Sequence, residues 1–385
     1  VNDQKRIVVK IGSGLLVGEE SLAVRYAFLH GMMADIAALR AEGYEVVLTS
    51  SGAAAIGLGT LGLTPKDAGL ADKQAAAACG QPLIMNAYKQ VALEFGIDIA
   101  QILLTSEDME NRRRFLNTKN TLDRLLAKGM LPIINENDTI TTEEIRVGDN
   151  DRLAAKVAQM IQAQHFVMLT GVEGLYDRDP DEPGAQFVEE VEDVSIYLEA
   201  TTGKSTLGSG GMLTKMQAAN MAQNAGVTAY IASGILDSPV SSVLKNERRH
   251  TRCIAQGDAS SSWRVWLADR LTMAGSLVVS NEAAAQLGTG QRGIRADDIV
   301  AVQGEYAKGD VLHIYDEKGE ECARGLTNYA SNETVLLARR AGEAVESVLG
   351  YHSNADVIAA RNLVPIEDRH LPREAPDDDV TSIAS

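Results

Sequence analysis

The chain has 385 residues, 45% of them hydrophobic and only 4% aromatic, and carries a formal charge of −17 at pH 7. That length exceeds one ordinary domain, and the abundance of Gly, Ala, Val and Leu suits α/β layers packed with small and branched side chains. The acidic excess repels nucleic acid and anionic lipid, and no apolar run reaches the ~18 residues that cross a bilayer, so the expectation is a cytoplasmic, unsecreted protein with no membrane or RNA partner.

The β-branched run Ile7 to Ile11 carries Lys10 and ends in Gly12-Ser13-Gly14, and Leu22 to Leu39 spaces Leu29, Met33 and Ile36 at helical intervals before Gly43. A lysine inside an apolar strand is costly unless its ammonium emerges at the strand end, where small neighbours let backbone N–H groups approach phosphate. The plain alternative is an edge lysine before a turn, and the loop is no Walker sequence. Val46 to Leu48 then runs into Thr49-Ser50-Ser51-Gly52-Ala53, which offers several donors to an anion or forms an ordinary tight turn. An Ala-rich helical region follows, and Ile102 to Leu104 and Pro132 to Ile134 repeat the strand pattern.

Two acid-and-amide clusters come next. Asn135-Glu136-Asn137-Asp138 follows a strand, and Gly148-Asp149-Asn150-Asp151 follows a hairpin-like stretch ending at Val147. Asx turns and a carboxylate magnesium site are both readings of such clusters. The preferred one is an amino-acid pocket, with carboxylates holding an ammonium and asparagine amides a carboxyl group. Asp151 also has the position of an N-cap for a helix over Leu153 to Ile161. Phe166 to Leu169 is a further strand, ending in Thr170-Gly171. With Gly174 to Pro180, that end suits the adenine and ribose side of a nucleotide. Gly208-Ser209-Gly210-Gly211-Met212-Leu213-Thr214-Lys215 leads into the amphipathic stretch Met216 to Ala225. Glycines at a helix start, with a hydroxyl and a lysine in the first turns, suit a polyphosphate; a flexible helix-initiating loop is the alternative. Ala229 to Ala232 closes the series. Such alternation predicts a mainly parallel sheet covered by helices on both faces, with ligands at the carboxyl ends of the strands.

The rhythm breaks at Gly257 to Ser262, ahead of Trp263 and Trp266. Beyond it, Leu277 to Val279, Ile299 to Val302, Val311 to Tyr315 and Cys322 to Leu326 read as short strands between Gly, Asp and Lys turns. The expected divisions are a catalytic domain over 1–258, a linker over 259–275, a small β-rich domain over 276–365 and a disordered acidic tail over 366–385. Cys79, Cys253 and Cys322, odd in number and widely separated, read as buried filler.

Taken in order, these segments resemble the glutamate 5-kinase family in its longer form with a C-terminal PUA domain. The resemblance runs from about Ile7 to about Gly350. It rests on Val8-Val9-Lys10-Ile11-Gly12-Ser13, Ser51-Gly52-Ala53, Met109-Glu110-Asn111-Arg112, Ile134 to Asp138, Val147 to Asp151, Gly174-Leu175-Tyr176 and Gly210 to Lys215. It implies an amino-acid-kinase-like three-layer sandwich followed by a PUA-like barrel. The implied activity is transfer of phosphate from ATP, with Mg2+, to the γ-carboxylate of L-glutamate, opening proline biosynthesis.

By the same resemblance, Ser51, Asp138 and Asn150, with Gly52, Ala53, Asn135 and Asp149 beside them, bind glutamate. Lys10, Gly12, Ser13, Thr170, Gly171 and Ser209 to Lys215 bind ATP. Lys10 and Lys215 stabilise the transferring group and Asp151 holds both; no protein ligand is assigned to the metal. Proline as feedback inhibitor, a homodimer or homotetramer, and channelling to glutamyl phosphate reductase are further implications. Gly171 departs from the family in replacing an acidic residue, and Gln291 to Asp298 diverges within the PUA-like part. Kinases of aspartate, acetylglutamate, carbamate or uridylate are the rivals within the fold. An RNA-binding protein is the rival from another class, opposed by the acidic excess between Ser276 and Ser353.

Overall fold

The computed structural model describes residues 5–18, 20–64, 66–140, 149–178, 182–202, 210–235, 237–257, 275–287, 292–351, 355–366 and 380–382. The chain divides into two compact units, Val1–Glu110 with Thr118–Trp263, and Arg264–Ser385 with Asn111–Asn117. The linker expected over 259–275 lies almost wholly outside the described residues, as do Trp263 and Trp266.

The first unit is built on strands β1 (Lys5–Ile11), β2 (Tyr44–Ser50), β3 (Ile99–Leu104), β4 (Leu131–Glu136), β5 (His165–Thr170), β6 (Leu175–Tyr176), β7 (Phe187–Val188), β8 (Glu190–Val191), β9 (Thr228–Ser233) and β10 (Thr251–Cys253). Eight of them form one sheet in the order β3-β4-β2-β1-β5-β9-β10-β8, while β6 and β7 make a separate ribbon. All its pairings are parallel except β9 with β10. Every residue of β1 after Lys5 is buried, as is all of β4, the continuous apolar pattern of central parallel strands covered on both faces.

The connections are α1 (Ser13–Leu16), α2 (Tyr26–Ala41), α3 (Ala53–Leu61), α4 (Leu70–Glu94), α5 (Ser106–Glu110), α6 (Arg112–Ala127), α7 (Asp149–Met160), α8 (Val194–Thr202), α9 (Gly210–Asn224) and α10 (Pro239–Leu244). The helix expected from Leu22 begins four residues later. Leu22 has φ +48°, which a helix excludes, and Val17 and Val24 form a bridge that closes the preceding loop. The Ala-rich region becomes two helices, α3 and α4, whose backbones meet. A Cβ at Gly57 would stand 1.7 Å from the Ala76 carbonyl oxygen, and one at Gly80 would stand 1.8 Å from that of Ala53. Only glycine at both crossings permits that approach, and it seats the start of α3 beside β2.

In the second unit, strands β11 (Gly275–Val279), β13 (Ile299–Gln303), β14 (Val311–Tyr315), β15 (Glu321–Leu326), β17 (Leu363–Pro365) and β18 (Val380–Ser382) form a mixed sheet in the order β17-β15-β14-β11-β13-β18. The short strands β12 (Ile294–Arg295) and β16 (Asp356–Ile358) pair separately. Leu277, Val279, Leu312, Ile314, Tyr329 and Ile358 belong to a core of its own. The expectation of a wholly unstructured tail fails at β18, which pairs antiparallel with β13; the remaining tail residues after 366 lie outside the described ones. The three thiols are free, but only Cys253 is fully buried, so "buried filler" describes one of the three.

Candidate active site

Lys10 is the sixth residue of a seven-residue strand, so its side chain leaves β1 at the carboxyl end while its stem stays in the core. Its ammonium lies 2.6 Å from Asp151 Oδ1, and the other carboxylate oxygen of Asp151 lies 3.1 Å from Lys215 Nζ. The Thr214 hydroxyl, with one proton to share, lies 3.2 Å from the same Oδ2 and 3.0 Å from the Gly211 carbonyl oxygen. All three charged residues are buried, with Asp151 at 0% exposure. Burial alone would raise the Asp151 carboxyl, but the two ammonium groups outweigh it and hold the group below the usual carboxylate range. Burial draws Lys10 below its ordinary value, opposed by Asp151 and reinforced by Lys215. The cluster holds two cationic side chains and one anion, a net positive charge at the end of the central strand.

Asp151 is no N-cap. Helix α7 begins at Asp149, so Asp151 stands in its first turn and its carboxylate is committed to the lysines. Its neighbour Asn150 points to the other side of the same strand ends. Asn150 Nδ2 donates to Ser51 Oγ at 3.1 Å and to Asn135 Oδ1 at 3.0 Å, and Asn135 Nδ2 donates to Gln81 Oε1 at 2.8 Å. The backbone N–H of Glu136 also donates to Asn135 Oδ1, at 2.9 Å. A backbone N–H is always a donor, so it fixes the Asn135 amide orientation, and that in turn fixes Asn150. The asparagine amides, expected to recognise a carboxyl group, are engaged with one another and with Ser51 and Gln81. Both donor bonds of Asn150 are spent within the protein, and the group it has left is Oδ1, a buried acceptor without a partner. Ser51, which accepts from Asn150, keeps its own hydroxyl proton to donate.

Gly52, with φ +105°, occupies the left-handed region, and a Cβ there would stand 2.7 Å from Val17 Cγ2. It turns the chain from β2 into α3, whose first residue, Ala53, is buried. Asp138 is half-buried in the turn after β4, and Asp149 opens α7. The Gly12 N–H donates to the Leu169 carbonyl at 3.2 Å, so it serves the junction of β1 with β5 and is not spare for a phosphate. Ser13 begins α1 on the exposed side.

Thr170 ends β5, and its carbonyl accepts from Gly234 N–H at 2.9 Å. A Cβ at the exposed Gly171 would meet nothing within 4 Å, so glycine is not sterically required where the family carries an acid. Gly210 to Lys215 form the opening turns of α9, with Met212 and Leu213 half-buried, while Ser209 lies outside the described residues. The structure therefore brings Lys10, Asp151, Thr214 and Lys215 into one cluster and Ser51, Asn135 and Asn150 into another. Residue motifs did not reveal Gln81, because an amide in the middle of a 25-residue helix carries no local signal. Among the described residues, no group of three or more His, Cys, Asp or Glu side chains is placed to hold a metal ion, and no helix is long and apolar enough to cross a membrane.

Residues 5–233 match the amino acid kinase family, and residues 275–349 match the PUA domain. The chain is 42% identical over 367 residues to the glutamate 5-kinase of Paraburkholderia xenovorans, covering 94% of this chain and 98% of that protein. It is 40% identical over 363 residues to the glutamate 5-kinase of Citrifermentans bemidjiense, covering 94% and 97% respectively. Among solved structures, carbamate kinase from Giardia lamblia bound to AMP-PNP superposes with a TM-score of 0.50 at 17% identity, over 66% of this chain and 100% of that one, a likeness of fold.

Proposed function

The chain belongs to the amino acid kinase family, in its glutamate 5-kinase branch with a PUA domain, and from that membership we infer that it phosphorylates the γ-carboxylate of L-glutamate. This is the first step of proline biosynthesis. The observation that carries the reading is the buried Lys10–Asp151–Lys215 cluster at the carboxyl end of the central strand.

ATP, carrying Mg2+ on its phosphates, is the donor. A γ-carboxylate oxygen of glutamate attacks the γ-phosphorus, the bond from that phosphorus to the β–γ bridging oxygen breaks, and ADP and γ-glutamyl phosphate leave. The carboxylate is ionised at neutral pH, so no general base is needed and no proton moves in the transfer. The chain's task is to bring two anions together in line and to stabilise the equatorial oxygens. Lys10 and Lys215 perform the second part, and Asp151 keeps both ammonium groups aimed and partly neutralised until polyphosphate arrives. Phosphate charge then favours the protonated form of Lys10. Thr170, Gly171, Ser13 and the α9 opening line the nucleotide side.

On the amino-acid side, the unpartnered Asn150 Oδ1 is an acceptor suited to the substrate ammonium, with Asp138 and Asp149 supplying countercharge. The Ser51 hydroxyl, with Gly52 and Ala53 at the start of α3, suits a carboxylate. The same pocket accommodates the ammonium and carboxylate of proline without a reacting group, which supports feedback inhibition by proline. The division into a catalytic domain to 258 and a PUA domain from 276, a homo-oligomer, hand-over of the acyl phosphate to glutamyl phosphate reductase and a cytoplasmic location complete the proposal.

An assay coupled to ADP release, run with glutamate, aspartate, acetylglutamate and carbamate, with hydroxylamine trapping of the acyl phosphate, tests it. Glutamate is expected to be strongly preferred. Equal rates with aspartate, or ADP release without hydroxamate, would reject the reading.

A further inference from the structure

The sheet of the first unit has a second polar cleft at the end away from the lysines. Its floor is formed by His165, the first residue of β5, with Tyr230 of β9 and Arg252 of β10, and its wall by the connection from α10 to β10, which carries Arg248, Arg249 and His250. The register explains the grouping. Tyr230 pairs with both Val167 and Arg252, so these side chains share one face, and His165 shares it two residues upstream of Val167. The cleft encloses ≈ 870 Å³, within the roughly 300–1,000 Å³ typical of small-molecule sites.

The floor is polar and ordered. The Tyr230 hydroxyl lies 3.2 Å from His165 Nδ1, and its ring tilts against His165 and His250 at 5.8 and 5.6 Å. His250 Nδ1 lies 2.8 Å from the Arg248 carbonyl oxygen, so that nitrogen must be the donor and Nε2 is the acceptor in the neutral ring. His165 is neutral near pH 7, because burial and then Arg252 pull it down to about 4. His165 therefore adds no positive charge to the cleft, whereas Arg248, Arg249 and Arg252 do.

The Arg249 guanidinium lies over the Phe187 ring, 4.7 Å from its centroid, Arg252 interacts with the Tyr230 hydroxyl, and the ion pairs of both arginines are long. Arg249 approaches Glu173 at 3.6 Å and Arg252 approaches Glu190 at 3.7 Å, with all four side chains about half exposed. Both separations exceed the ~3.2 Å limit of a good N–H···O bond. Solvated pairs of this kind contribute little and exchange readily for a better-placed oxygen.

We propose that this cleft is a second ligand site of the enzyme, which takes a small anion bearing phosphate or carboxylate oxygens through the guanidinium forks of Arg248, Arg249 and Arg252 above the Tyr230–His165 floor. Planar forks match such oxygens bidentately. Glu189, Glu190 and Glu247 also line the cleft, so recognition is by short-range fork bonding and not by a general positive field. From His165 to Thr170 the strand runs five residues, roughly 16 Å, which keeps this ligand off the groups that react. It nevertheless contacts β5 and β9, the two strands that end at the nucleotide side.

The test uses the full chain saturated with a non-hydrolysable ATP analogue and glutamate, which fills the catalytic cleft, and titrates pyrophosphate and, separately, citrate by calorimetry. At least one of the two is expected to bind, and their ratio tells phosphate from carboxylate preference. In Arg248→Gln/Arg252→Gln, binding is expected to weaken about tenfold or more, the worth of one charge-assisted hydrogen bond. No binding of either anion to the unaltered chain, or equal binding by chain and variant, overturns the proposal. Should the double variant not fold, Arg249→Gln, at a half-exposed side chain, carries the same comparison.

Discussion

Asp151→Asn keeps the shape of the residue at the centre of the candidate site and removes its charge. The carboxylate is fully buried and lies 2.6 Å from one ammonium and 3.1 Å from another. An amide can accept from only one of them and turns an N–H toward the other, leaving two buried cations with no counter-ion. Losing one partner from a buried pair costs about 3–5 kcal/mol. At roughly 2–4 °C per kcal/mol for a domain of this size, the melting temperature falls on the order of 10 °C.

The loss depends on pH, because Lys10 escapes by shedding its proton, toward which burial already pushes it. With its folded pKa moved further below the unfolded value, the folded variant binds fewer protons than the unfolded chain. Its stability therefore rises with pH until that unfolded value of roughly 10.4 is reached. ATP analogues replace the lost anion and should stabilise the variant more than the unaltered chain. Turnover is expected to fall about 100- to 1,000-fold with little change in the glutamate requirement, as when one preorganised electrostatic group is removed. Scanning calorimetry between pH 6 and 9, with and without the analogue, and steady-state kinetics read all of this. A variant with unchanged melting temperature and turnover would refute the role given to Asp151.

Three further outcomes follow from other parts of the chain. Gln81→Ala removes the anchor of the Asn135–Asn150–Ser51 amide chain, so KM for glutamate should rise several-fold while kcat and KM for ATP hold; an effect on ATP alone would place Gln81 elsewhere in the mechanism. Gly171→Asp should fold normally, since a Cβ meets nothing there, and should lower KM for ATP by restoring a polar contact; a raised KM would show that the acid is unwelcome in this pocket. His165, neutral in the fold and drawn down to about 4, binds its proton more readily in the unfolded chain, so it stabilises above pH 6.5 and loses that contribution as pH falls toward 4. The effect is on the order of 3 kcal/mol, and urea midpoints at pH 7 and 4.5 should converge in His165→Asn, where Tyr230, His250 and Arg252 lose their titrating neighbour.

Much of this fold is legible because fully buried parallel strands write themselves as unbroken apolar runs. Ile7 to Ile11, Pro132 to Ile134 and Phe166 to Leu169 each fall inside an observed strand, and the small or polar residue after each marks a carboxyl end. Lys10 was visible for the same reason, as the one charged residue in an apolar run. What stayed hidden is whatever depends on contacts between distant segments. The Ala-rich stretch gives no hint that Gly57 and Gly80 let two helices touch backbones, and nothing near Gln81 tells that it meets Asn135. The orientation of the Asn150 amide is likewise absent from its local sequence, because it is decided through Asn135 by the backbone N–H of Glu136, a residue fourteen positions away in the chain. Helical periodicity runs back to Leu22, past the helix start at Tyr26, although the left-handed backbone of Leu22 excludes a helix there.

The two halves of the candidate site are joined at adjacent residues, and the reason is helical geometry. Successive side chains on a helix diverge by about 100°, so Asn150 and Asp151, side by side in the first turn of α7, reach different partners: Ser51 and Asn135 on one side, Lys10 and Lys215 on the other. In the proposed mechanism the amino-acid end and the phosphate end are thereby set by one rigid body rather than by two loops. That body is held close to its neighbours by small residues. Ala154, Ala155 and Ala158 of α7 and Ala218, Ala219 and Ala222 of α9 are all buried, which lets the helices approach until a carboxylate on one meets a lysine on the other. Direct transfer between two anions tolerates little error in their alignment. Under the proposed function, fixing Asn150 and Asp151 on one helical turn removes the relative motion that would otherwise spoil it.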